Sequence, residues 1–271
     1  MTTICQTKHK APIMGSLAWG ERKGAFSEGR LTRAEKVTVI GNMVRMSLLQ
    51  ALDQASDKLG LMNAYGADLE GLLPLQTRLV SDSEALASEK LGTDVLEHSW
   101  RTYYWAMCLA GYKKLDVDRE ILFSAAMLHD LGLAKDRPVH PGACCFTVHG
   151  AKRSKDLLVS QGHDPAKARK IGEAIGLHLN GYVSRRLHGA EAHLLSRSAM
   201  CDVFGMGRAR IAASTRREVQ KRHPKGDLMN GLEIWPGHHL QGTRGDFLIR
   251  VGGKHHTAKI PKDKLLAAPR T

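Results

Sequence analysis

An all-α architecture with a basic C-terminal extension is the fold class this chain of 271 residues predicts. Three observations carry it. Apolar residues recur at helical spacing along most of the first 215 positions. Several of these stretches are bracketed by capping residues and terminal glycines. Period-two alternation is absent until the last quarter, where two short stretches are candidate strands.

Residues 1–30 are rich in Gly, Lys and Ser and hold no period, so a flexible N-terminal arm is expected. Leu31 to Leu59 reads as a helix, its apolar face set by Val37, Ile40, Val44, Leu48, Leu49 and Leu52, with Gly60 as the stop. Tyr65 to Leu91 is less regular and is interrupted by Pro74. The next helix is expected over Asp94 to Ala110, with Thr93 as N-cap and Gly111 after it. Asp118 to Leu131 follows, ended by Gly132, and a loop from Leu133 to Cys145 leads to a helix over Thr147 to Ser160. Asp164 then caps a helix with Pro165 at its first position, running to His178. Glu191 to Gly205 and Arg208 to Arg222 are the last two helices expected. Beyond them Pro224, Gly226, Gly231, Pro236 and Gly237 break the pattern, and Asp246 to Val251 and His255 to Ile260 are the candidate strands. The expected organisation is an arm over 1–30, a helical domain over 31–215 and a basic extension over 216–271.

Composition narrows the function classes. The net charge of +13 is uneven: residues 203–271 hold 14 basic against 5 acidic side chains, while residues 1–97 hold 11 against 12. Such an extension can neutralise phosphates, but no nucleic-acid motif accompanies it, so nucleic-acid binding is not favoured. No stretch approaches the roughly 20 apolar residues of a membrane helix, and the N-terminus shows no signal-peptide core. No membrane partner is expected. Five cysteines without a C-x-x-C pair suggest reduced thiols and a cytoplasmic protein. A homo-oligomer is left open.

Chemistry concentrates in four residues. His129 and Asp130 are adjacent at the end of the apolar run Ile121 to Leu128, His98 precedes them and Asp202 follows. Each lies in or beside a helical segment. Imidazole nitrogens and carboxylate oxygens are ligands for a divalent transition metal, and ionised aspartates among apolar neighbours are costly unless paired or metal-bound. Convergence of the four would make a water-activating metal site. His178, with a side chain that titrates near neutrality, is a candidate for moving protons or orienting substrate. Asp130 is also a candidate catalytic group. Arg101, one turn from His98, and His149 are candidate substrate-binding residues.

The segments Glu97-His98-Ser99-Trp100-Arg101, Ala126-Met127-Leu128-His129-Asp130-Leu131-Gly132 and Ala199-Met200-Cys201-Asp202 resemble the HD-domain superfamily over roughly residues 90–215. The resemblance implies a helical bundle around a metal held by His98, His129, Asp130 and Asp202, and a phosphohydrolase or related activity. His98 to Tyr104 and Phe146 to Ala151 are similar to stretches of the cyanamide hydratase-like branch, which adds water to a small nitrile. Many phosphohydrolases of the superfamily carry Lys where this chain has Leu133, an apolar group that cannot hold a phosphate. In the hydratase-like branch an acidic residue often follows the Phe, where Thr147 stands here. The two-metal pattern is met by His178 at one place and by Phe146 at the other, which favours one divalent ion: zinc, iron, manganese or nickel. The expected activity is hydration or hydrolysis of a small-molecule substrate. The alternatives are a nucleotide or phosphoester phosphohydrolase, and a non-catalytic HD scaffold that binds nucleic acid or an acidic partner.

Overall fold

The run Ile121 to Leu128 has no polar face, and the fold places it where none is needed. In the computed structural model, which describes residues 11–134, 136, 145–227, 242–248, 250 and 251, this helix is buried on every side. We number it α5 (Arg119–Leu128); all eight residues from Ile121 to Leu128 are buried. Around it stand α3 (Arg78–Lys90), α4 (Thr93–Lys113), α7 (Pro165–Leu177) and α8 (Arg185–Phe204). Helix α6 (Phe146–Ser160) packs along α7 and closes over a 3-10 turn at Leu131–Leu133. Among the described residues there is no strand; two isolated bridges join Arg30 to Thr243 and Tyr65 to Ile211. The all-α expectation holds.

Most element starts follow from local chemistry. Asp118 caps α5 through the amides of Glu120 and Ile121, and Asp164 caps α7 ahead of Pro165. Thr93 is the first helical residue of α4 rather than its cap, which is Gly92. That helix also runs through Gly111 to Lys113, because the Tyr65 ring occupies the space a side chain at Gly111 would need. Helix α8 bends at Gly189, whose φ of 86° leaves the helical region. The expected Arg208–Arg222 helix is a 3-10 turn at Arg208–Arg210 followed by α9 (Ala213–Arg222).

The two ends depart from expectation. Residues 11–30 are packed against the bundle. Trp19, in the single turn α1 (Leu17–Gly20), is fully buried, and its indole N–H donates to Glu35 at 2.6 Å. The Leu17 amide reaches Glu173 and Asn180 donates to the Met14 carbonyl. A single buried indole with its hydrogen bond anchors a stretch whose composition suggested none. At the other end, α9 crosses the expected boundary at 215/216. The expected strand Asp246–Val251 is not formed; α10 (Arg244–Leu248) stands there, and His255–Ile260 lies outside the described residues. Arg244 is fully buried. It donates to Asn180, to Thr147 at 2.6 Å and to the Gly176 carbonyl at 2.6 Å, and packs on the Trp19 ring. These bonds pull α10 into the bundle.

Helix α2 (Arg33–Lys58) starts with a capping box between Thr32 and Glu35. Its orientation reverses the expectation. Val39, Met46 and Asp53 face the body, whereas Val37, Ile40, Val44, Leu48 and Leu52 face solvent. The buried face is set by polar ties: Asp53 to Arg210 at 2.6 Å, Gln50 to the Gly207 amide, and Asn42 to the Asn180 carbonyl.

Candidate metal centre

Three of the four predicted ligands converge. His98 on α4, His129 at the C-cap of α5 and Asp130 after it offer one ligand atom each, all within 4.8 Å of one another and all buried. The helix end matters: past Leu128 the chain leaves the α5 axis, so adjacent residues reach one point. Gly132 completes the device. A Cβ there would sit 1.9 Å from the Phe146 carbonyl oxygen, so only glycine lets the α6 start close over the turn.

The proton positions follow from the partners. The Ala126 carbonyl, 2.7 Å from His129 Nδ1, can only accept, so Nδ1 donates and Nε2 holds the lone pair. Asp202 Oδ2 lies 2.7 Å from His98 Nδ1, and an ionised carboxylate likewise only accepts. His98 Nε2 then faces His129 Nε2 at 3.1 Å, with Asp130 Oδ2 at 3.7 Å from the first and 3.3 Å from the second. Two lone pairs and a carboxylate aimed at one buried point repel unless a proton or a cation stands between them. Burial pushes the His129 imidazole down, with a further push from His98, so protonation is disfavoured there. The donor set of two imidazole nitrogens and a carboxylate fits a divalent transition metal.

Asp202 occupies a different station from the other three. It sits in the last turn of α8, behind the His98 ring. Its oxygens accept from His98, from Arg101 Nε at 2.8 Å and Nη2 at 2.9 Å, and from the Trp105 indole N–H at 2.9 Å. Burial works to raise its carboxyl, but His98 and Arg101 outweigh it and hold it well below the carboxylate range. In this structure it is the outer carboxylate that fixes the His98 ring.

Arg101, a candidate for substrate binding, pairs with an acidic side chain of the protein itself. It is fully buried, paired side-on with Asp202, and its remaining arm donates to the Pro224 carbonyl at 2.6 Å. Its charge is paired with Asp202. Trp105 is buried on the same helix. It is core, but it also serves the site; the spacing His98, Arg101, Trp105 on one helix face is the signal that could have found it. Arg244 carried no sequence signal.

His178 does arrive. It caps α7 as His129 caps α5, with Nδ1 donating to the Ile175 carbonyl at 2.7 Å, and its ring stands edge-on to His129 with centroids 5.1 Å apart. Burial, with the neighbouring His129, pushes its pKa down to about 3, so it is neutral at neutral pH. His149, on α6, is half-buried and is not among the converging groups. Beside His178 lies a small apolar patch of Leu133, Phe146 and Leu179. Cys108 and Cys201 are buried thiols pushed up to about 12, which makes them poor nucleophiles.

An H…HD…D order on α4, the end of α5 and α8 has a known counterpart. Residues 95–203 match the HD domain family. The matched span runs from the first turn of α4 to the end of α8 and so takes in every converging residue. No curated protein matches the chain significantly. The HD domain is typical of metal-dependent hydrolases, and the His98–His129–Asp130 cluster is where its metal fits. No helix among the described residues is long and apolar enough to cross a membrane.

Proposed function

We propose that the protein is a metal-dependent enzyme that adds water to a small uncharged substrate, nitrile hydration of the cyanamide type being the favoured reaction. The observation that carries this reading is the wall beside the cluster. Leu133, Phe146 and Leu179 form an apolar patch next to His178, and two buried guanidiniums, Arg101 and Arg244, are already committed to Asp202 and to Asn180, Thr147 and Gly176. A phosphate ester would bring charge to an apolar wall, and neither of these two cations is uncommitted to receive it.

A bound divalent cation lowers the pKa of its water toward neutrality and polarises the electrophile. The chain's own groups do the rest. His98 and His129 present fixed lone pairs, because Asp202 and the Ala126 carbonyl hold their other nitrogens. Asp130 supplies the negative charge. His178 is neutral at neutral pH with its one proton on Nδ1, held by the Ile175 carbonyl, so Nε2 is left as an acceptor that orients the attacking water. The apolar patch excludes competing water and favours a compact neutral electrophile.

The test is metal content of the full-length protein beside Asp130→Ala, followed by two assays. The expected result is about one equivalent of transition metal, lost in the variant, with urea formed from cyanamide and read as ammonia after urease. Phosphate released from aryl phosphates or nucleotides with added manganese, without urea, would replace this reading with the phosphohydrolase one. A protein that stays empty when metals are offered, and that binds nucleic acid in a salt-sensitive way, would leave only the scaffold reading.

A further inference from the structure

Helix α2 carries six large aliphatic groups on the side turned away from the body: Val37, Ile40, Val44, Leu48, Leu52 and its cap residue Leu59. They are between 44% and 72% exposed. At 100° per residue the six fall within an arc of about 120°, opposite Val39, Met46 and Asp53. Nothing among the described residues covers this stripe. Six side chains so exposed present on the order of 600 Å² of apolar surface, the upper end of the largest patch on an ordinary monomer and close to the ~800 Å² per partner of a standard interface.

The stripe has a further property. Apart from Ile40, whose counterpart eight residues beyond is Ser56, it is symmetric about Leu48. Val44 and Leu52 lie four residues to either side, Gly41 and Ala55 seven, Val37 and Leu59 eleven. Four, seven and eleven are all whole-turn spacings, so each pair falls on the same face. A two-fold contact requires that what one copy offers at a given distance from the axis be met by its complement from the other. Antiparallel pairing about Leu48 does this: Val44 meets Leu52, the small Gly41 meets the small Ala55, and Val37 meets Leu59. A membrane surface imposes no such symmetry. A membrane-lying helix also keeps its cationic face in water. Here the face opposite the stripe is docked on the bundle through Asp53 and Arg210, and Arg45 lies over the Tyr182 ring.

We infer that the outer face of α2 is the interface of a homodimer, two copies pairing antiparallel with the two-fold axis at Leu48.

The test is sedimentation of the full-length protein, with cross-linking to fix the register. Wild type is expected at twice the 29.8 kDa chain mass. Leu48→Glu, which sets two carboxylates on the axis, is expected at the single mass, with unchanged circular dichroism and metal content. Leu48→Cys is expected to form an interchain disulfide under mild oxidation, since it meets its own counterpart. Val37→Cys is not, because 22 residues of helix, roughly 33 Å, separate it from its counterpart. A monomeric wild type overturns the inference, whether or not it binds phosphatidylserine vesicles. So does a dimer that survives Leu48→Glu, or one in which Val37→Cys cross-links and Leu48→Cys does not. Should Leu48→Glu fail to fold, the two cysteine variants still decide.

Discussion

Along α5 every side chain from Ile121 to Leu128 is buried, and the charged groups Arg101, Asp130 and Asp202 are buried with them; along α2 six aliphatic groups stand in water. The two regions invert the usual distribution of polar and apolar residues. What separates them is satisfaction. Behind the His98 ring both Asp202 oxygens have donors, and the His129 Nδ1 has its carbonyl acceptor, so these charged and polar groups can be buried. Helix α2 is held by a few polar ties on one face and gains little from its aliphatic groups within the chain. Stability should therefore follow satisfied burial rather than local hydrophobicity.

The largest expected effect comes from breaking the pair at the centre. Arg101→Met removes three of the donors that Asp202 and the Pro224 carbonyl use and leaves a carboxylate buried with only His98 and Trp105. The loss should be about 3–5 kcal/mol in urea unfolding, as for other buried pairs deprived of one partner. Metal content should fall as well, because the His98 ring loses its fixed orientation. A loss below about 1 kcal/mol would break the comparison.

Next comes acid. His193, buried behind α4 beside Lys113, Arg185 and Arg197, has its pKa pushed down to about 4, chiefly by burial. A histidine depressed in the folded state stabilises it fully above the unfolded pKa near 6.5, and that contribution is lost as pH falls from 6.5 to 4. Its share is on the order of 2–3 kcal/mol. His193→Gln keeps a donor for the Val183 carbonyl that His193 now bonds at 2.7 Å, but it cannot titrate. Unfolding free energies at a series of pH values should rise less steeply between pH 4 and 6.5 in the variant. Equal slopes would show that His193 is solvated.

Smaller again is Gly132→Ala. The new methyl would meet the Phe146 carbonyl oxygen, and separating α6 from the turn after Asp130 should cost roughly 1–3 kcal/mol. Metal stoichiometry should fall with the melting temperature, since the same turn sets Asp130. A stable variant with full metal content would show that the turn and the start of α6 move independently.

The legible and illegible parts of the sequence divide along the same line. His98, His129 and Asp130 were readable because their types, order and helix-end position all point to one chemistry. Asp202 was readable as a member of the site, but its station depends on which His98 nitrogen it meets, and no spacing encodes that. Arg101 was read toward substrate because charge near a ligand invites it; only the fold shows that Asp202 and two carbonyls consume its donors. The strand expected at Asp246 failed because Phe247-Leu248-Ile249 is too short to fix a period, and Arg244 was unreadable because its partners Thr147, Gly176 and Asn180 are far away in sequence. On α2 the periodicity was right and the face was wrong. Its aliphatic stripe announces an amphipathic helix, but periodicity does not say whether the cover comes from the same chain.

The smallest expected effect separates those two sources. Val37 is 70% exposed and belongs to none of the apolar clusters among the described residues. In protein diluted until it is monomeric, Val37→Ser should change the unfolding free energy by no more than about 0.5 kcal/mol, the range of ordinary surface substitutions. At high concentration the same variant should lose association without losing fold, because the mass-action contribution of a partner enters only there. A loss above about 1 kcal/mol in the dilute protein would place the cover for α2 within its own chain. It would then join α5 as a packed element, and the contrast between the two helices would vanish.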